Sequence, residues 1–348
     1  MLQAAREDRR SEPATGDRRQ FWRVTRWVLA VLYVAAIVYF VSTEGIPLDR
    51  GAITLWIFIG LTIAVLGKGW RAWLWMILDW MPFTLVMFAY DYSYGALGHY
   101  AGGVMVEGSH NAVGFPLHIQ APVTFDTWLF GGVLPNAWMQ QHFYVAGQSH
   151  WYDAAAILVY ITHFIATPLI AMILWITNRR RFRQWVAVIV PLAVVGIATY
   201  MVYPMAPPWM AYQDGVISEP VHRITGIGWN RLGLGVAERM LHDGQALFNP
   251  VAAMPSLHMG FATMVALFFM IGAPWWRRVL LALYPLAMGT VLVYCGEHYV
   301  IDLLVGAFYS CVIILVWRLV IRSRRRRETG EESGVEGSSA GDRELAQA

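Results

Sequence analysis

Long apolar runs separated by short clusters of arginine set the pattern of this chain. The runs are Trp27–Ser42, Ile53–Leu66, Ala72–Tyr92, Asp153–Thr177, Trp185–Tyr203, Met254–Ile271, Val279–Tyr294 and Val300–Ile321. Each comes near the ~20 residues that a bilayer-spanning helix needs, or falls somewhat short of it. The pattern predicts an all-α polytopic membrane bundle of about eight transmembrane helices. The first run follows arginines and has no small-residue cleavage site after it, so it reads as a retained anchor rather than a removed signal. It is short, and Arg23 and Arg26 would have to snorkel.

Composition agrees. The chain has 348 residues, 57% of them hydrophobic and 14% charged, which excludes an ordinary soluble domain. Lys68 is the only lysine. The basic residues fall in alternate connections: Lys68 with Arg71, Arg179–Arg181 with Arg183, Arg277 with Arg278, and Arg322 with Arg324–Arg327. With the basic N-terminus they mark the cytoplasmic side. This places both termini in the cytoplasm and makes the chain a multi-pass protein, expected in the plasma membrane. Ser42–Gly51, Ser93–Tyr152, Pro204–Ala253 and Cys295–Tyr299 then face the other way. The net charge of +3 says little about partners, and nothing in the pattern calls for nucleic acid. Residues 1–23 and 322–348 read as disordered tails. Cys295 and Cys311 are too few for a disulfide framework and read as small core residues.

Three polar clusters share the outer face. Asn249–Ala262, NPVAAMPSLHMGFA, reads as the start of a membrane helix with Pro255 at its first position. Free N–H groups there favour an anion, and Ser256 adds a hydroxyl and His258 an imidazole. A polar helix cap is the plainer reading of the same residues. In Tyr294–Gly306, His298 and Asp302 lie four apart and share a helix face. A carboxylate on one imidazole nitrogen fixes the tautomer and leaves the other nitrogen as base or nucleophile. The plainer reading is a pair tying two helices together. In Tyr203–Met210, the prolines stop a helix and Trp209 sits as an interfacial anchor.

Taken together, Pro207-Pro208-Trp209, Pro255-Ser256-Leu257-His258 and His298-Tyr299-x-x-Asp302, in that order, resemble the type 2 phosphatidic acid phosphatase superfamily. Within it the chain is most similar to the inositol phosphorylceramide synthase-like, or inositolphosphotransferase, branch. The resemblance implies a six-helix core over residues 72–321, with outer loops 93–152 and 204–253 and two added helices in 24–71. It implies that His298 attacks phosphorus and becomes a phosphohistidine, that Asp302 orients its ring, and that His258 protonates the leaving alkoxide. Ser256 and the helix N-terminal N–H groups would bind phosphate oxygens. The implied route needs no metal and no cofactor.

The phosphatases of the superfamily usually carry a Lys and an Arg in the first motif and a Ser-Arg pair before the final His. Here that second position holds Val291-Leu292. This weakens a simple phosphatidic acid phosphatase, whose dianionic substrate wants several charge-assisted contacts. Arg223, Arg231 and Arg239 remain as candidates to fold back onto phosphate, with Trp209 beside them. Loop 93–152, with His99, His110, His118, His142 and His150, is expected to act as a lid or to select headgroups, and Thr127–Gln141 reads as short amphipathic helices. The pattern His118, Pro122, Asp126 also resembles part of the same branch. Metal binding by His110, His118 and Asp126 matches no zinc spacing. Asp79 and Asp91 are either structural pairs or substrate contacts.

The expected function is transfer of a phospho-headgroup, inositol phosphate-like, from a membrane phospholipid or polyprenyl phosphate to a lipid or sugar alcohol. The alternatives are a lipid phosphate or polyprenyl diphosphate phosphatase using water, and a transporter with His258, His298 and Asp302 as an ion site. An intramembrane serine protease on Ser256 and His258 ranks last, since the two do not share a helix face.

Overall fold

The structure, a computed structural model, describes residues 14–44, 50–97, 105–232 and 249–345. Among these residues it is all helical, with no strand. In chain order the helices are α1 (Ala14–Glu44), α2 (Arg50–Val65), α3 (Trp70–Leu97), α4 (Gln120–Leu129), α5 (Pro135–Phe143) and α6 (Trp151–Thr177). Then come α7 (Arg179–Val202), α8 (Pro208–Gln213), α9 (Ile227–Arg231), α10 (Leu257–Met270), α11 (Trp275–Tyr294) and α12 (Val300–Leu345).

Each of the eight apolar runs falls wholly or mostly within a helix. Five stretches are long and apolar enough to cross a membrane: Arg18–Thr43, Trp151–Thr177, Arg179–Val202, Trp275–Tyr294 and Val300–Arg324. Gly51–Val65 and Leu257–Met270 are shorter apolar helices. Large apolar side chains such as Leu286, Phe308 and Leu315 remain exposed along these helices, as a lipid-facing surface requires. Among the described residues α1 begins at Ala14 and α12 runs on to Leu345; extending a formed helix costs far less than starting one.

One core joins α2, α3, α6, α7, α10 and α12 around Trp80, Trp175, Trp185 and Phe268. A second lies between α6 and α11 around Tyr160, Ile157 and Leu292. The helices α10 and α12 cross where glycine lets their backbones meet. A Cβ on Gly306 would stand 2.3 Å from the Ser256 carbonyl oxygen. Ser310 completes the crossing by donating its hydroxyl to the Gly260 carbonyl at 2.7 Å.

A third core gathers the outer loops around Leu117, Met205, Val251 and Tyr299. Their backbones run side by side: His118 N–H donates to Pro204 O at 3.0 Å and Met205 N–H to Val251 O at 2.9 Å. Three loops far apart in sequence are thereby held at one end of the bundle. Thr127–Gln141 spans the end of α4, a turn and most of α5, and Asn136 and Gln140 within it are buried. The two cysteines also part company, since Cys295 is buried and Cys311 exposed.

Candidate active site

The start of α12 explains how a carboxylate is tolerated in the bundle. Tyr299 is the residue before the helix, and its N–H donates to Asp302 Oδ2 at 3.0 Å, which is half of a capping box. The next two N–H groups, of Val300 and Ile301, donate to Asp126 at 2.7 and 3.1 Å. Two acids from distant segments thus satisfy the donors that a helix leaves open at its N-terminus. Burial raises the Asp126 carboxyl above its ordinary range, and the two backbone donors hold it back. Asp302 Oδ2 also lies 3.2 Å from His298 Nδ1. The pair is therefore both a helix cap and an oriented imidazole, and Asp302 stands fully buried behind His298.

The backbone carrying His298 is braced from α5. Asn136 donates to Val293 O and His298 O at 2.8 and 2.9 Å. Gln140, on the same helix face, donates to Tyr294 O and His222 O and accepts from His222 N–H. Gly296 makes the turn at φ 72°, and a Cβ there would stand 2.6 Å from His222 O. The expected lid is thus in large part a scaffold for the His298 turn.

The start of α10 differs from expectation. Ser256 caps it, accepting from Met259 N–H at 3.3 Å. Pro255 therefore precedes the helix instead of opening it, because the first helical residue is Leu257. The Ser256 N–H donates to Asp302 O at 3.0 Å. Its side chain is fully buried and lies outside the cavity wall described below. Ser256 thus joins α10 to α12.

His258 sits one position into α10. Its ring stacks on His163 at 3.8 Å and on Tyr160 at 4.9 Å, and meets His298 edge-on at 5.6 Å between centroids. Its Nε2 is buried with no hydrogen-bond partner among the described residues. His163 and Tyr160 lie three apart on α6 and were not singled out from sequence. Their spacing is ordinary for an apolar helix, and only the fold turns them toward α10.

Of the two candidate arginines among the described residues, Arg223 lines the cavity and Arg231 does not. Arg223 makes a two-point contact with Glu297, Nε to Oε1 at 2.9 Å and the second nitrogen to Oε2 at 3.1 Å. Its Cζ lies 5.4 Å from the centre of the Trp209 ring. Burial alone would push the Glu297 carboxyl up, but the guanidinium and the hydrogen bonds from Arg223 and Thr225 outweigh it and hold the group below its ordinary value. Glu297 was also missed from sequence, since the motif gives no reason to mark the residue before His298. Arg231 is exposed and donates to the Ser149 carbonyl at 3.2 Å. It is tied to the loop before α6 and does not line the cavity. Arg239, His99 and the side chain of Asp91 lie outside the described residues.

These groups line one end of a cavity of about 330 Å³. Arg223, Glu297, His258, His298 and Trp209 form its polar part, while Ile53 of α2, Phe83 and Val86 of α3, and Ile189 and Ala193 of α7 form an apolar wall. The remaining candidates are structural. Asp79 pairs with Arg179 and accepts from the Trp175 indole at 3.0 Å. His118 stacks on Tyr203 at 4.0 Å, and Asp126 serves α12. Among the described residues no three His, Cys, Asp or Glu side chains are grouped to hold a metal, so His110, His118 and Asp126 do not form such a site.

A family model of the PAP2 superfamily matches residues 123–316, more than half of the chain. Trp209, Arg223, His258, His298 and Asp302 all fall inside the match. Among curated proteins the chain is similar to phosphoinositol dihydroceramide synthase of Bacteroides thetaiotaomicron, 26% identical over 213 residues, covering 57% of this chain and 66% of the relative. It is also similar to the catalytic subunit of inositol phosphorylceramide synthase of Saccharomyces cerevisiae, 33% identical over 124 residues, covering 34% of this chain and 30% of the relative. The chain thus spans just under two thirds of the first relative's length and under a third of the second's. No solved structure matches it.

Proposed function

Because this chain belongs to the PAP2 superfamily, we propose that it is an integral membrane phosphotransferase that moves a phospho-headgroup from a lipid donor to an alcohol acceptor. The observation that carries the reading is the cavity itself: His298 with Asp302 behind it, and His258 against its edge, at the polar end of an otherwise apolar chamber.

The chemistry takes two steps. His298 Nδ1 is engaged by Asp302, so Nε2 attacks phosphorus, forming a P–N bond as the bond to the lipid alkoxide breaks. His258 gives its proton to that oxygen, and the lipid alcohol leaves. In the second step the acceptor hydroxyl attacks phosphorus, His258 takes its proton, and the P–N bond breaks. An alkoxide is a poor leaving group, so a general acid contributes roughly 10²–10⁴-fold in rate. Arg223 neutralises charge on the non-bridging oxygens.

Charge favours a phosphodiester donor. Arg223 is the one cation lining the cavity among the described residues, and Glu297 already takes it by two contacts. That suits a monoanionic diester better than a dianionic monoester. The names of the two relatives point to a phosphoinositol headgroup and a ceramide-type acceptor; a polyprenyl phosphate donor and a sugar alcohol acceptor are the other chemistries of this class. The basic connections support a reading in which the chemistry faces the extracytoplasmic side and both termini the cytoplasm.

Phosphoryl trapping tests the reading. Wild type and His298→Ala are purified in detergent and incubated with phosphate-labelled phosphatidylinositol or, separately, phosphatidic acid, then quenched in base. The expected result is an acid-labile, base-stable label on wild type alone, carrying inositol phosphate. Bare phosphate on the protein would indicate hydrolysis instead. Label that persists in His298→Ala would remove His298 as nucleophile. No label from either donor on folded wild type would reject both lipids as donors and leave a polyprenyl phosphate donor or the transporter reading standing.

A further inference from the structure

We propose that a second cavity, at the opposite end of the bundle from His298, is a binding site for an anionic phospholipid of the leaflet at that end. It measures about 490 Å³ and is bounded by α1, α2, α6 and the start of α7. The two cavities follow one another along the same helices. Ile53 of α2 and Tyr160 to Pro168 of α6 face the first, whereas Gly60 to Ala64 of α2 and Met172 to Ile176 of α6 face the second. They share no residue, so this inference stands apart from the proposed reaction.

Four cations line the second cavity: Arg23, Arg26, Lys68 and Arg179. Asp79 takes Arg179. Among the described residues no carboxylate pairs with Arg23, Arg26 or Lys68; Arg26 gives one N–H to the Leu66 carbonyl at 3.2 Å. Burial, with Arg26 and Arg179 nearby, holds the Lys68 ammonium below its ordinary value. Clustered like charges of this kind are costly unless an anion joins them. Beside the cations the wall is apolar, with Trp27, Ala30, Ile63 and Met172.

That pairing of charge and grease selects the occupant. A phosphodiester headgroup meets three uncompensated cations, and its chains lie along the apolar wall. A zwitterionic lipid brings its own cation to the same spot, and a soluble anion leaves the wall unfilled. A second observation points the same way. None of the apolar span of α1 is buried inside the protein, so protein contacts alone hold that helix weakly. A lipid touching α1, α2, α6 and α7 at once would fasten it to the bundle.

The test uses the full chain in detergent. Native mass spectrometry is titrated with phosphatidylglycerol, with phosphatidylcholine of the same chains, and with soluble glycerol phosphate. Wild type is expected to retain phosphatidylglycerol preferentially, and Arg23→Gln/Arg26→Gln/Lys68→Gln to bind it about two-hundredfold more weakly, at roughly a factor of six per cation removed. The charge-preserving Arg23→Lys/Arg26→Lys/Lys68→Arg should bind like wild type, as should Arg277→Gln/Arg278→Gln, whose charges lie outside the cavity. Should the triple variant fail to fold, wild type alone decides: added salt must weaken phosphatidylglycerol and leave phosphatidylcholine unchanged. Equal retention of the two lipids, an unchanged preference in a folded triple variant, or equally tight glycerol phosphate would each overturn the proposal.

Discussion

His298 is held from behind by Asp302 and Asn136 and faces His258 in the cavity. The facing group, His258, carries an Nε2 that is buried and makes no hydrogen bond among the described residues, and the proposed reaction makes it the proton donor to the departing oxygen. His258→Ala is expected to lose roughly 10²–10⁴-fold in turnover with a natural lipid donor. With a nitrophenyl leaving group, which departs unprotonated, most of that loss should vanish; equal loss with both donors would remove His258 as the acid. Glu297 carries a prediction about acid. Its folded pKa lies below the ordinary value of 4.5, so its contribution to stability is complete above that value and fades as pH falls through the folded one. In thermal unfolding, Glu297→Gln should be less stable than wild type at neutral pH and should lose the part of the wild-type decline in acid that Glu297 causes. At this level the sequence was most informative where partners are neighbours. His298 and Asp302 are four apart and could be paired on paper. Arg223 and Arg231 could not be told apart, because what separates them is Glu297, seventy-four positions from Arg223 in the chain. His163 was invisible for the same reason.

The helices meet the chemistry through two close approaches. Gly306 lets α12 lie against the start of α10, and Ser256 N–H bonds Asp302 O at that crossing. Gly306→Ala would place a carbon 2.3 Å from the Ser256 oxygen, so the helices must part. The expected cost is about 1–3 kcal/mol of stability, measured by denaturant unfolding in detergent, together with a fall in turnover as Asp302 moves. Unchanged stability would mean that α12 can slide without harm. The long apolar runs were legible because length and hydropathy suffice to place a spanning helix. The short α4 and α5 were not, because their buried polar residues, Asp126, Asn136 and Gln140, answer to donors and carbonyls near residues 293–301. Polar side chains in a loop look like a solvated surface until the fold supplies their partners.

Across the whole molecule, the family match and the cavity do not share the same borders. Residues 123–316 supply every side chain assigned a chemical role, yet Ile53, Phe83 and Val86, which close the apolar wall, come from α2 and α3 ahead of that match. Val86→Trp should therefore shorten the preferred lipid chain, read as turnover across donors of graded acyl length, while a short-chain donor reacts at the wild-type rate. Equal effects at every length would place Val86 outside the substrate path. The rest of that wall, Ile189 and Ala193 of α7, lies inside the match, so a graft of residues 50–97 onto a relative is expected to shift the preferred lipid only in part while leaving the reacting groups in place.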